Sequence, residues 1–129
     1  MAEMSNYLEN ALINVTLRAT SYTAPTTVYV ALYTTDPTDA DLTANAVTGG
    51  SYARTAVTFA APSHGVSLNS ADVTFPTCSA AWGTVTHIGL RDASTAGNLL
   101  YHSPLDDSKS VGIGDVFKIT TGNLSVTLA

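Results

Sequence analysis

Apolar residues recur at helical spacing near the start of the chain, at Met4, Leu8, Ala11, Leu12 and Val15. Asn6, followed three positions later by Glu9, has the form of a capping box. The pattern predicts one short helix within residues 4–17, inside an N-terminal helical segment spanning 1–20. Residues 16–27 turn β-branched and polar, and Pro25 ends any helical continuation.

Beyond Pro25 the period changes from helical to that of strands. TTVYVALYT (26–34) is rich in β-branched and aromatic residues and stops at the turn signal DPT. ARTAVTFA (53–60) follows the Gly49-Gly50 break and puts Thr55, Val57 and Phe59 on one face. VSLNSADVTF (66–75) alternates weakly and fits two short strands. GTVTHIGL (83–90), NLLYHS (98–103), DVFKIT (115–120) and NLSVTL (123–128) follow, the last two joined by the short-hairpin signal Thr121-Gly122. No later segment has helical periodicity, so crossover helices and a doubly wound fold are excluded. The expected fold is all-β, an antiparallel β-sandwich of about seven to eight strands with one short N-terminal helix. Residues 1–129 make a single domain, without a linker or internal repeat. Residues 35–52 form the longest irregular stretch and are a candidate contact arm.

Charge narrows the function classes. The net charge is −5 and charged residues make up 12% of the chain. Arg18, Arg54, Arg91, Lys109 and Lys118 are scattered singly, so there is no basic stripe and no nucleic-acid partner is expected. No run approaches the ~18 apolar residues of a membrane helix, and the start, with Glu3 and no basic cluster, does not read as a signal peptide. Cys78 stands alone, which rules out an internal disulfide and a cysteine zinc site. A hydroxyl-rich, weakly charged surface suits close association, because little charge is desolvated on contact. The same composition fits an ordinary β-domain in which threonine simply suits the pleat.

The stretch AAWGTVTHIGLRDA (80–93) tests for chemistry, since it gathers Trp82, His87, Arg91 and Asp92. In an extended strand Val85, His87 and Gly89 share one face, and Thr86, Ile88 and Leu90 the other. His87 and Asp92 then fall on opposite faces, roughly 16 Å apart, which excludes a direct dyad. No nucleophile elbow, H-E-x-x-H or P-loop is present. His64, His87 and His102 have no ligand spacing, and no cofactor or metal is expected. Asp36, Asp39 and Asp41 lie in DPTDAD without the further oxygens of a calcium loop, and read as an acidic solvated turn. Trp82 reads as a core or interface plug in preference to a glycan platform.

Across nearly its whole length the chain resembles the small virion proteins of tailed bacteriophages often labelled tail-fibre-like, several of which serve as capsid cement (decoration) proteins. The matching stretches are SNYLENALIN, PTTVYVALYTTDPTDAD, GGSYARTAVTFAAP, NSADVTFP, AAWGTVTHIGLRDA, AGNLLYHSPL and GDVFKITTGNLSVTL. It departs from the family pattern at DLTANAVTGG. The resemblance implies a non-enzymatic structural virion protein on the capsid surface, assembled in the bacterial cytoplasm. Its partners would be the major capsid protein of a tailed phage and further copies of itself, as a dimer or trimer. The alternative is a tail or tail-fibre module binding a host receptor through exposed aromatics, with Tyr22, Tyr52 and Trp82 as candidates. Candidate interface residues are Tyr7, Leu8, Leu12, Tyr22, Asp36, Asp39, Asp41, Tyr52 and Trp82.

Overall fold

The computed structural model describes residues 2–128. In chain order the elements are β1 (Glu3–Met4), α1 (Asn6–Leu17), β2 (Val28–Tyr33), β3 (Thr55–Val57), β4 (Val66–Leu68), β5 (Val73–Thr74), β6 (Gly83–Arg91), β7 (Leu99–Val111), β8 (Lys118–Ile119) and β9 (Ser125–Thr127). The strands form one five-stranded antiparallel sheet, ordered β1-β7-β6-β2-β3, and two antiparallel ribbons, β4-β9 and β5-β8. The all-β class with one short helix follows from the strand-period pattern after Pro25.

The core lies between one face of the sheet and the ribbons. Val30 and Leu32 of β2 join Ile88 and Leu90 of β6, and the ribbon side supplies Val73, Phe75, Phe117 and Leu124. Trp82 enters this cluster at the mouth of β6, edge-on to Tyr52 at a centroid distance of 5.3 Å. Tyr52 in turn stacks on Phe75. Burying such side chains contributes about 1.5–3 kcal/mol each.

Several expectations are corrected. The helix is capped by Ser5, whose Oγ accepts from the Leu8 N–H, so the Asn6–Glu9 capping box does not form. Ser5 wins because β1 pairs Glu3 with His102 and Met4 with Tyr101, which holds Ser5 extended against β7. Strand β7 runs eight residues past Ser103, through Pro104 to Val111, because its far end pairs again with Gly83–Val85. Between these two pairings the register slips. The simple alternation of β6 breaks at Thr86–His87, and Val85 joins Ile88 and Leu90 in the core.

The Thr121-Gly122 turn forms, but the strands either side of it do not pair with each other: β8 pairs with β5 and β9 with β4. Asn69 is the cause. It is 2% exposed, and its backbone and side chain both bond Leu124, Oδ1 accepting from Leu124 N and the Asn69 N–H donating to Leu124 O. Its Nδ2 donates to Ala71 O and Thr120 O, and its own carbonyl accepts from Gly122 N. One amide thus fills the place where a hairpin ladder would begin.

Candidate functional site

The second face of the sheet carries Tyr33, Gly89, Arg91, Leu99 and His102, and it is polar where the first is apolar. Residues 36–41 lie across this face, where Asp39 and Asp41 reach His102 and Arg91, and the chain then runs along the edge of β2, with Ala46 bridging Tyr33. Pro37 is buried, Val47 donates its N–H to Leu32 O at 3.0 Å, and Asn45 O accepts from Thr34 N at 2.9 Å. The candidate contact arm is thus packed against its own domain. The carboxylates of DPTDAD explain why the loop stays down.

Arg91 is 2% exposed and forms a bidentate pair with Asp41, Nη1 to Oδ1 at 2.6 Å and Nη2 to Oδ2 at 3.0 Å. It also donates to Gly97 O and to the Tyr33 hydroxyl. Such forked, charge-assisted bonds are the strong ones. Asp36 accepts from Thr38 N at 2.8 Å, the local turn bond expected of it. Asp39 reaches instead across the sheet to His102, Oδ1 to Nε2 at 2.7 Å. The solvated-turn reading thus holds for Asp36 and is corrected for Asp39 and Asp41. Sequence spacing concealed these pairs, whose partners lie 63 and 50 positions away.

His102 is 3% exposed and stands among three carboxylates: Nε2 faces Asp39 and, at 3.9 Å, Glu3, while Nδ1 faces Asp36 at 3.5 Å. Register places Glu3 opposite His102 on the same face. Asp39 is fixed from its backbone, since its carbonyl accepts from Asn6 N at the first residue of α1. Glu3, Asp39 and His102 are the group of side chains here with the donors to hold a metal ion.

The histidines do not build a catalytic triad among the described residues. His64 and His87 each bond a neighbouring hydroxyl, Ser63 and Thr86, while the carboxylate-bonded histidine is His102. Asp92 accepts from the backbone and side chain of Asn98, closing its own turn, and does not meet His87.

The aromatic candidates also move inward. Trp82 is 5% exposed and donates Nε1–H to Gly50 O at 2.9 Å. The Tyr52 phenol accepts from Leu32 N, and burial pushes its pKa up, the Leu32 bond opposing. Trp82 is thus the core plug expected of it, with Tyr52 packed against it, and neither is the exposed aromatic that the receptor-binding alternative would use. Leu8 is likewise buried beneath α1, and Leu12 and Tyr22 are half-buried.

The remaining surface of α1 is open. Leu8 is its buried residue, whereas Tyr7, Ile13, Val15 and Leu17 are exposed, Leu17 at 79%. Sequence periodicity marked Leu8, Leu12 and Val15 but passed over Ile13 and Leu17, which lie off that stripe. Among the described residues no helix is long and apolar enough to cross a membrane.

No curated protein matches the chain. A family model described as podophage GP4 fiber I protein gp80 matches residues 3–127, nearly every position including the helix, both ribbons and the polar layer. The chain belongs to the podophage GP4 fiber I protein gp80 family.

Proposed function

We propose that the protein is a structural, non-enzymatic subunit of a phage virion that sits on the outside of the head as a cement protein, attached through the open face of α1. Family membership supports the virion role. The observation that carries the attachment is the exposure of Ile13 and Leu17, four positions apart on the side of the helix away from Leu8, through which it chiefly holds to the sheet. Apolar residues clustered on the outer side of a surface helix suit a contact with another chain. The charge content of 12% keeps the desolvation cost of such contacts low. Many copies binding at once make modest contacts sufficient.

A fibre module that binds a host receptor is the second reading, favoured by the family's description as a fibre protein. The two separate by gold labelling of intact particles with antibody against this chain. Label spread over the head supports the cement role. Label confined to the tail, with loss of adsorption in particles lacking the protein, overturns it in favour of the fibre.

A further inference from the structure

We propose that Glu3, Asp39 and His102 form a binding site for a divalent transition-metal ion of the zinc type, which ties the first strand to the 35–52 loop. The donor atoms of the three side chains all lie within 4.8 Å of one another. Nε2 of His102 is 2.7 Å from Asp39 Oδ1 and 3.9 Å from Glu3 Oε2. Ligands bound to tetrahedral zinc at about 2.0–2.1 Å stand roughly 3.3 Å apart, so the two spacings bracket what the ion requires. Glu3, exposed at the sheet edge, is free to close the difference.

The donor set goes beyond a patch of surface acids, because its nitrogen ligand is a buried imidazole on the regular part of β7. Its other nitrogen faces a third carboxylate, Asp36. A metal-bound histidine characteristically turns its second nitrogen toward a carboxylate, which fixes the tautomer and the ring's orientation. Three carboxylates face one imidazole, so an incoming cation meets unbalanced negative charge. One nitrogen and two carboxylate oxygens leave a position for water and suit zinc better than magnesium, which favours six oxygens. On binding, the ion takes the place of the direct contact between Nε2 and Asp39.

The ion's structural effect follows from where the ligands sit. Glu3 precedes α1 by three residues, and the Asp39 carbonyl already accepts from Asn6 N. The site therefore clamps the root of the helix, wherever in the virion the protein resides.

Calorimetric titration of Zn2+ into chelator-stripped, full-length protein tests this. One ion per chain is expected, with a raised melting temperature and no competition from equimolar Mg2+. Glu3→Gln should fold as the wild type does, since Glu3 is exposed, and should bind at least tenfold more weakly, as should Asp39→Asn. Asp107→Asn, an exposed carboxylate elsewhere on β7, should bind as wild type. Absence of binding that saturates at one ion per chain overturns the proposal. So does equal competition by Mg2+, or binding that Glu3→Gln and Asp39→Asn leave within twofold of wild type.

Discussion

Arg91 carries a full charge at 2% exposure, and among the described residues Asp41 is the carboxylate that pairs with it. Removing the carboxylate strands that charge beside a buried Nε that has no partner among the described residues. Asp41→Ala should therefore destabilise the fold by about 3 kcal/mol, measured by denaturant unfolding. A change under about 0.5 kcal/mol, the usual size for a surface substitution, would contradict the pairing. Gly89 lies on the same polar face and is required for space. A Cβ there would stand 2.7 Å from Leu99 Cδ1 and 2.9 Å from Tyr33 Cε2. The Tyr33 hydroxyl is held by Arg91, so the ring has little room to withdraw. Gly89→Ala should cost about 1–3 kcal/mol in the same assay.

At the scale of elements, the two ribbons depend on side chains more than on ladders, since each pairs over only two or three residues. Asn69→Ala removes the bonds to Leu124 N, Ala71 O and Thr120 O, and should cost about 2–4 kcal/mol by leaving buried backbone groups unpaired. Asp72 works at the other ribbon, where its carboxylate accepts from the N–H and the hydroxyl of Thr121. The Thr121 backbone bond, then the hydroxyl bond and Lys118, hold its pKa below the ordinary value. A depressed carboxylate contributes stability that is present above its unfolded value of about 3.9 and is lost as pH falls through the folded one. The protection factor of the Thr121 amide, its exchange rate set against the intrinsic rate at the same pH, should therefore fall as pH drops below about 4, and Asp72→Asn should remove that fall.

The two outermost strands of the sheet are β1 and β3. Both are short, β1 with two residues and β3 with three, so the outer edge of β7 beyond His102 has no partner strand among the described residues. The helix, β2 and β6 were legible from a strong local period, and β3, β4, β5, the near half of β7, β8 and β9 fall inside the expected strand stretches, shorter than those stretches in all but β7. β1 was missed because two residues carry no period at all, and the far half of β7 because Pro104 and the polar run after it carry no strand period. The polar layer was invisible for a different reason. Its pairs join residues far apart in the chain, and nothing local marks Asp39 for His102 or Asp41 for Arg91.

At the scale of the molecule, one face of the sheet is closed by ribbons, the other by a loop pinned through carboxylates, and α1 is left with an apolar outer side. Deleting residues 1–20 would be a poor test of that helix, because it also strips β1, Ser5 and Leu8 from the sheet. Substituting the outer side alone leaves the root intact. Ile13→Glu with Leu17→Glu should change folding stability by no more than about 0.5 kcal/mol, since both residues face solvent in the single chain. The decisive measurement is the copy number of this doubly substituted chain in purified particles, set against the wild type, when each is supplied to a phage lacking its own copy. The attachment role proposed for α1 predicts a variant that folds and melts normally yet is depleted at least tenfold from the particles. Incorporation at the wild-type level would contradict it.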